Sequence, residues 1–250
     1  MRFVSFVATE GRMPAEAIAE MNRDWPEHAA RMEQRGGLHF GRELDLPEAG
    51  VATVRVRAGE TLVTDGPFVD TKEFLAGFGV FEADDMQDAL ELESGNPVGR
   101  FNPLELRALP EDFRLGAKLS AFAEFDDSEG TPFLLTTWVD PAADGGRVAT
   151  EMETACDAWR DDLEARGVFV LGGGVGAPDT ARTLRAQDRR PQVSDGPFLA
   201  VPEFISRIDV VRSADLEQAV ALAATHPLAQ RHAIEVRPFY TGPMPDAEVA

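Results

Sequence analysis

The sequence has 250 residues, one of them cysteine, and apolar residues make up 44% of it. This length predicts one large domain or two small ones, and the composition argues against a disordered chain. The net charge of −20, from 24 basic and 44 acidic residues, would repel phosphate backbones and anionic lipid headgroups, so we expect neither a nucleic-acid nor a membrane partner. The single Cys156 excludes an internal disulfide, and no apolar run is long enough to cross a bilayer. These features favour a cytoplasmic protein.

The first 110 residues alternate short apolar runs with helical patterns. A helical stripe follows Pro14 and stops at Gly36, where glycine is expected to end a helix. The strict alternation from Thr53 to Arg57 predicts a half-exposed strand that turns back through Ala58 and Gly59. The predicted elements are strands at 3–7, 38–44, 53–57, 61–64, 74–81 and 104–107, and helices at 14–35 and from 84–85 to about 94.

The second half of the chain shows the same kinds of element in the same order. Strands are predicted at 133–139, 168–171, 204–211 and 234–237, and helices at about 148–166 and from 213–215 to about 225. Asp85 and Asp215 are predicted to cap the second helix of each half. The run Gly172 to Gly176 lacks the Lys-Ser/Thr of a phosphate loop, and we interpret it as a bulge or loop.

An internal repeat organises these elements. The tetrapeptide Asp65-Gly66-Pro67-Phe68 recurs as Asp195-Gly196-Pro197-Phe198, and at that offset of 130 residues 16 of the 55 positions from 53 to 107 are identical. The pattern predicts a tandem duplication of a unit of roughly 110 residues, a common domain size. The predicted organisation is a first domain at 1–110, a linker at 111–131, a second domain at 132–240 and a tail at 241–250.

The order of elements predicts an α+β fold. Each half has the order β-α-β, hairpin, β-α-β, which predicts one ferredoxin-like repeat of the βαββαβ type whose helices cover one sheet face. Two such sheets can bury their bare faces against each other. We therefore expect a monomer with an internal pseudo-two-fold axis, an internal form of the dimeric α+β barrel, and further dimerisation is left open.

The first half resembles the YCII-related, or DGPF, domain. The resemblance is carried by the strand 53–57, the segment 63–68, Lys72-Glu73, Asp84-Asp85 and the strand 104–107, and the second half is similar to a weaker copy. It implies the ferredoxin-like fold and paired sheets, with no metal or organic cofactor, and most members are uncharacterised. It also implies, for some members, a His–Asp pair in a cleft as acid–base machinery. His28 is the candidate histidine, and because its counterpart is Trp159, at most one half is expected to carry such a pair.

The two motif aspartates have two readings. Asp65 at the end of a hairpin could be a general base if it is partly desolvated, and Asp195 is its counterpart. Alternatively, Asp-Gly-Pro is a turn sequence, because Asp bonds the backbone two residues on and Gly accepts a positive φ. Phe68 and Phe198 are predicted to enter the core.

Two glutamates follow eight residues after these aspartates. Glu73 and Glu203 could converge with them and separate the pKa values of paired carboxylates, or they could be solvated glutamates at strand edges. Lys72, next to Glu73, is a candidate substrate contact whose counterpart is Pro202. Asp195 and Glu203 are the candidate substrate contacts in the second half.

Two arginines share one predicted strand face. Arg55 and Arg57 could clamp an anionic substrate, or they could form surface ion pairs. Arg107 and Arg237 each follow a strand glutamate by two residues and are predicted to form cross-strand ion pairs. His226 and His232 are six residues apart, a spacing without metal-ligand character, so no metal site is expected. The acids beside Cys156 are expected to raise its thiol pKa.

Two functions fit these residues. The first is a cofactor-independent acid–base enzyme acting on a small anionic or phenolic molecule near the first motif, with Asp65, His28 and Glu73 moving protons. The second is a non-catalytic module, either small-ligand-binding or regulatory, with one degenerate half. The sequence does not decide whether the protein is an enzyme.

Overall fold

The structure, a computed structural model, describes residues 1–241 apart from 12, 36, 48–49, 69–73, 117–118, 120–129, 141–149, 188–189 and 199–202. In these residues the helices are α1 Ala15–Arg35, α2 Met86–Glu93, α3 Thr150–Ala165 and α4 Leu216–Thr225. The strands of the first half are β1 Arg2–Thr9, β2 Leu38–Glu43, β3 Ala52–Arg57, β4 Glu60–Asp65, β5 Phe74–Glu82 and β6 Leu104–Ala108. Then follow β7 Arg114–Leu115, β8 Thr131–Val139, β9 Phe169–Gly174, β10 Arg182–Gln187, β11 Arg190–Asp195, β12 Phe204–Ser213 and β13 Ala233–Pro238.

The strands form two antiparallel sheets. The first sheet has the order β11-β10-β6-β1-β5-β2, and the second has the order β4-β3-β13-β8-β12-β9-β7. The predicted combination of helices with antiparallel sheets is confirmed, and the predicted strands agree with the observed ones to within a few residues. This is a mixed α and β architecture of two sheets.

The two halves exchange their hairpins. Strand β3 of the first half pairs with β13 of the second, with Val54 opposite Ile234, so the β3–β4 hairpin ends the second sheet. Strand β10 pairs in the same way with β6, with Leu184 opposite Leu104, so the β10–β11 hairpin ends the first sheet. Each sheet is therefore completed by residues from the other half, an arrangement that the order of elements along the chain does not reveal.

A core between the sheets joins the two halves. Strands of the first sheet contribute Val4, Phe6 and Phe78, and strands of the second contribute Leu134 and Ile208, all almost fully buried in one apolar cluster. Burying each large side chain of this kind is worth about 1.5–3 kcal/mol. The inner sheet faces thus stabilise each other.

The helices cover the outer faces. Met32 of α1 and Leu92 of α2 pack on the first sheet, and Leu163 of α3 and Ala223 of α4 pack on the second. The predicted caps are confirmed: Asp85 accepts a hydrogen bond from the backbone N–H of Asp88 at 2.9 Å, and Asp215 accepts one from Gln218 at 2.8 Å. Each half therefore has an inner apolar layer and an outer layer of helix on sheet.

Two sequence interpretations need correction. The glycine run is not wholly a loop or bulge, because Gly172 to Gly174 continue strand β9. The predicted linker is not only a connection, since Phe113 is buried in the core between the sheets and Arg114 and Leu115 pair with β9. Residues 120–129 of that linker lie outside the described residues.

Candidate functional site

Both Asp-Gly-Pro-Phe segments form turns at the ends of edge strands. Gly66 and Gly196 have φ angles of +103° and +90°, a region where glycine is not strained. The N–H of Gly66 donates to the Val51 carbonyl at 2.8 Å, which closes the turn onto β3. Asp65 and Asp195 are exposed, and Asp195 forms an ion pair with Arg182 at 3.1 Å. These contacts support the turn interpretation of the motif.

A buried glutamate holds each motif phenylalanine. The Phe68 N–H donates to Glu235 Oε2 at 2.9 Å, and the Phe198 N–H donates to Glu105 Oε2 at the same distance. Glu235 lies on β13 and Glu105 on β6, the strands that the exchanged hairpins join. Burial raises the pKa of Glu235, an effect that Arg237 and the Phe68 N–H oppose. The glutamates therefore tie each hairpin to the half that receives it.

The arginines beside these glutamates are structural. Arg107 Nε donates to Glu105 Oε1 at 2.5 Å, and its Nη1 donates across the core to the Ile205 carbonyl at 2.7 Å. Arg237 donates to the backbone carbonyls of Leu75 and Asp45. The predicted ion pairs are confirmed for both arginines, but each forms within one strand rather than between strands. Both guanidinium groups are buried and connect the two sheets.

An aromatic and cationic group lies at the first motif, and we call it the Phe68 corner: Arg55, Phe68 and Trp138. The Arg55 Cζ atom lies 5.1 Å from the centroid of the Phe68 ring, and the Trp138 ring lies 5.8 Å from it. Trp138 is 6% exposed, yet its indole N–H has no hydrogen-bond partner among the described residues. Arg55 is half-buried. The corner thus combines a positive charge, two aromatic faces and an unused buried donor.

Trp138 was not identified from the sequence. It lies on β8 in the second half and meets Phe68 only because the first hairpin joins the second sheet. Its aromatic side chain within an apolar run carried no signal beyond strand propensity. A long-range pairing of strands decides this contact.

The other residues predicted to contact a substrate do not form one group with Arg55 in the described part of the chain. Arg57 Nη1 donates to the Gln230 carbonyl at 2.9 Å, so Arg55 and Arg57 have separate partners. Lys72 and Glu73 lie outside the described residues. Glu203 is half-buried just before β12.

The second motif lacks an equivalent corner. Phe198 is buried in the core between the sheets. At an offset of 130 residues, the counterpart of Trp138 is Ala8, and the two occupy matching positions opposite Ile205 and Leu75. The first half therefore has no indole N–H at the position that corresponds to Trp138.

The structure does not bring His28 and Asp65 together. His28 on α1 is 3% exposed, and its Nε2 lies 3.9 Å from Glu93 Oε1. Glu93 Oε2 accepts hydrogen bonds from Ser5 Oγ at 3.0 Å and Asn96 Nδ2 at 2.9 Å. Burial lowers the pKa of His28 to about 4 and raises the pKa of Glu93. Because Asp65 ends an edge strand of the second sheet while α1 packs on the first, the partner of His28 is Glu93 instead.

The second half has a buried His–Asp pair, at positions other than the one predicted from His28 and Asp65. His226 Nε2 lies 3.5 Å from Asp209 Oδ2, which also accepts a 2.8 Å hydrogen bond from Arg207 Nε. The Leu228 N–H donates to His226 Nδ1 at 3.1 Å, so the ring proton of neutral His226 resides on Nε2, facing Asp209. Burial raises the pKa of Asp209, but Arg207 and His226 outweigh burial and the net shift is downward. Burial lowers the pKa of His226.

Glycines make room for this charged cluster. A Cβ atom at Gly172 would lie 2.3 Å from Asp209 Oδ1, and the Gly172 carbonyl accepts a hydrogen bond from Arg160 Nη1 at 2.9 Å. Cys156 is buried, and its pKa is raised to about 11, chiefly by burial. The predicted direction of that shift is confirmed, although burial rather than the neighbouring acids is the main cause. This glycine run therefore serves packing.

Within the described ranges, no group of three or more His, Cys, Asp or Glu side chains is placed to hold a metal ion. None of the helices in that part of the chain is both long enough and apolar enough to span a membrane.

Comparisons with known proteins agree with the motif residues. A family model described as the YCII-related domain matches residues 5–109. The chain is also 43% identical over 56 residues to the uncharacterized protein R00369 of Rhizobium meliloti (strain 1021), a match that covers 21% of this chain and 45% of that protein. The chain thus spans less than half of the length of this curated relative. A YCII-related domain is therefore found at residues 5–109 of this chain, from β1 to β6.

Proposed function

We propose that the protein binds a small planar anion, an aromatic carboxylate or a phenolate, at the Phe68 corner. The observation that carries this proposal is the buried indole N–H of Trp138, which has no partner among the described residues. A buried donor without a partner costs about 1–3 kcal/mol. A ligand oxygen placed there would recover that free energy.

The neighbours of Trp138 favour an anion with a ring. Arg55 lies over Phe68 at a distance typical of a cation–π contact, which holds the guanidinium in place. A guanidinium offers paired donors to a carboxylate, and aromatic faces bury a planar ring. The ligand would therefore place its charge towards Arg55 and Trp138.

Binding fits the described residues better than proton transfer does. Two of the buried histidines, His28 and His226, face Glu93 and Asp209 on the outer side of the sheets. Asp65, the proposed base at the first motif, is exposed to solvent. Lys72 and Glu73 follow Phe68 in the sequence and remain proposed ligand contacts. Asp195 and Glu203 would belong to the corresponding position in the second half, which we propose is degenerate.

We also propose that the chain is a tandem pair of ferredoxin-like units, 1–110 and 132–240, packed as an internal pseudo-dimer. Matching hydrogen bonds support the equivalence of the two halves. Thr53 Oγ1 donates to the Gly66 carbonyl at 3.0 Å, and Thr183 Oγ1 donates to the Gly196 carbonyl at 2.8 Å. The cytoplasmic location stays a prediction.

Isothermal titration with benzoate and 4-hydroxybenzoate tests the ligand proposal, with benzamide and cyclohexanecarboxylate as comparisons for charge and ring. We expect Arg55→Gln and Trp138→Phe each to weaken benzoate binding by about tenfold or more, equivalent to about 1.4 kcal/mol. Arg185→Gln, the counterpart of Arg55 in the second half, is the matched control and should bind as the parent does.

Equal binding by the parent and Arg55→Gln would overturn the proposal, as would an equal loss in Arg185→Gln. Proton NMR of 4-hydroxybenzoate left with the protein separates binding from catalysis. We expect the compound to be recovered unchanged, whereas conversion that Asp65→Asn abolishes would favour the acid–base enzyme.

A further inference from the structure

We propose that strand β4 is an interface at which a second copy of this chain adds antiparallel to the second sheet. Association through β4 does not require a ligand at the Phe68 corner. The position of β4, the direction of its backbone groups and its differences from the equivalent strand β11 all favour it.

Strand β4 is an exposed edge with apolar residues on both of its faces. It ends the second sheet, and no described strand pairs with its outer side. All six of its residues are exposed, including Leu62 at 50% and Val63 at 49%. Neighbouring residues of a strand point to opposite faces, so each face of this edge presents one large apolar side chain. Long, apolar, unpaired edges tend to recruit another strand.

The outward backbone groups of β4 belong to Thr61, Val63 and Asp65. The Gly66 N–H donates inward to the Val51 carbonyl, which shows which residues of β4 form hydrogen bonds with β3. Alternate residues of an antiparallel strand bond to the same neighbour, so Leu62 and Thr64 also bond inward to β3. The N–H and C=O groups of the three odd-numbered residues therefore face away from the sheet.

Strand β11 occupies the same position in the first sheet but is protected. The Gly196 N–H bonds inward to Ala181, so the odd-numbered residues of β11 also face outward. One of them is Pro191, which has no N–H and occupies the position of Thr61. Gln192 likewise replaces Leu62. An outward proline is a usual protection of an edge strand, because it removes a donor from the edge, and β11 has one where β4 has Thr61.

The sequence of β4 is complementary to itself in one antiparallel register. With Val63 opposite Val63 of the second copy, Thr61 faces Asp65 and Leu62 faces Thr64 across the two-fold axis. Glu60 then lies opposite Gly66, so no like charges are directly opposed. A carboxylate can accept a hydrogen bond from the facing threonine hydroxyl. The edge therefore favours a second copy of the same strand.

The charge of the whole chain sets the conditions for this association. Each copy carries −20, so two copies repel each other at long range. Salt screens that repulsion with a Debye length of about 10 Å at 0.1 M, but leaves backbone hydrogen bonds largely intact. We therefore expect the dimer to be favoured by added salt.

Sedimentation velocity of the full chain at increasing concentration and at two salt concentrations tests the proposal. We expect a shift from 27.2 kDa to twice that mass, reached at lower concentration in higher salt. Thr61→Pro, which copies the outward proline of β11, should raise the dimer dissociation constant at least tenfold. Leu62→Gln should also weaken the dimer, and Thr61→Ser, which keeps both N–H and hydroxyl, is the control.

A chain that stays monomeric at all concentrations would overturn the proposal. A dimer that Thr61→Pro and Leu62→Gln leave unchanged would do the same, and so would open-ended oligomers, since the register closes after two copies. If Thr61→Pro fails to fold, hydrogen exchange of the backbone amides in the parent protein tests the proposal instead. Dimer formation should protect the Val63 amide and leave the outward Val193 amide of β11 unprotected, and the reverse result contradicts the model of pairing.

Discussion

A missing side chain determines where a buried charge can lie in the second half. Gly172 is opposite Asp209 on the neighbouring strand, and the carboxylate occupies the volume in which a Cβ atom would stand. The counterpart of Asp209 in the first half is Gly79, so no carboxylate lies at that point of the first sheet. The same backbone position therefore has a polar role in one half and a packing role in the other.

Gly172→Ala should lower the free energy of unfolding by about 1–3 kcal/mol, because the added methyl would press on the carboxylate and on the Asp209 Cα atom 2.9 Å away. Urea unfolding followed by circular dichroism measures the change. The matched control is Gly41→Ala, where the nearest atom would be a Leu38 side-chain carbon at an ordinary 3.6 Å. Equal effects at the two positions would contradict this account of the glycine run.

The hairpins and the helices are attached to the sheets by different interactions. Each hairpin is attached by strand pairing and by a glutamate that accepts the N–H of the motif phenylalanine. The helices are attached by apolar packing, but each pair of helices also covers a buried histidine and carboxylate. The two histidine–carboxylate pairs take their carboxylates from different elements: Glu93 belongs to a helix, whereas Asp209 belongs to a strand. Stability of the helical layers should therefore depend on pH.

The titration of His28 predicts the direction in which stability changes with pH. Its pKa is about 4 in the folded protein and 6.5 in the unfolded chain, so below pH 6.5 the unfolded state binds the extra proton. Its contribution to stability is fully present above pH 6.5 and falls by about 3 kcal/mol as the pH drops to 4. Burial raises the pKa of Glu93, which acts in the opposite direction and requires a difference measurement.

His28→Gln removes this titration. Urea unfolding of parent and variant at several pH values from 7.5 to 4 should show the stability advantage of the parent shrinking by about 3 kcal/mol as the pH falls. An advantage that stays constant over this range would show that His28 is not a neutral buried group in the folded protein.

At the level of the whole molecule, the exchange of hairpins makes the two halves depend on each other. Strands β3 and β4 complete the second sheet, strands β10 and β11 complete the first, and the core between the sheets uses both. Arg107 and Arg237 add hydrogen bonds from one sheet to the carbonyls of the other. Either half alone would expose its inner face and lose one hairpin.

Cutting the chain between residues 120 and 129 tests this dependence. A protease site inserted there should give two fragments that elute together in gel filtration under native conditions and separate only in denaturant. The uncut protein of the same sequence is the control for elution volume. Fragments that separate without denaturant would show that each half is stable alone and that the exchanged hairpins contribute little.

The sequence by itself determined what depends on neighbours along the chain. Strand alternation located the hairpin from Thr53 to Asp65, and Asp85 and Asp215 capped their helices as predicted. The glycines of the two motifs have the positive φ that their turn requires. These features are local because strand, cap and turn geometries are set within a few residues.

Only the tertiary structure decided which sheet each hairpin joins and which side chains meet there. Strands β6 and β13 both present antiparallel edges, so the sequence pattern fits either pairing, and the choice follows from how the two halves pack. That choice places Trp138 against Phe68 and separates Asp65 from His28. Contacts between residues far apart in sequence depend on strand pairing and burial across the whole core, which no local pattern records.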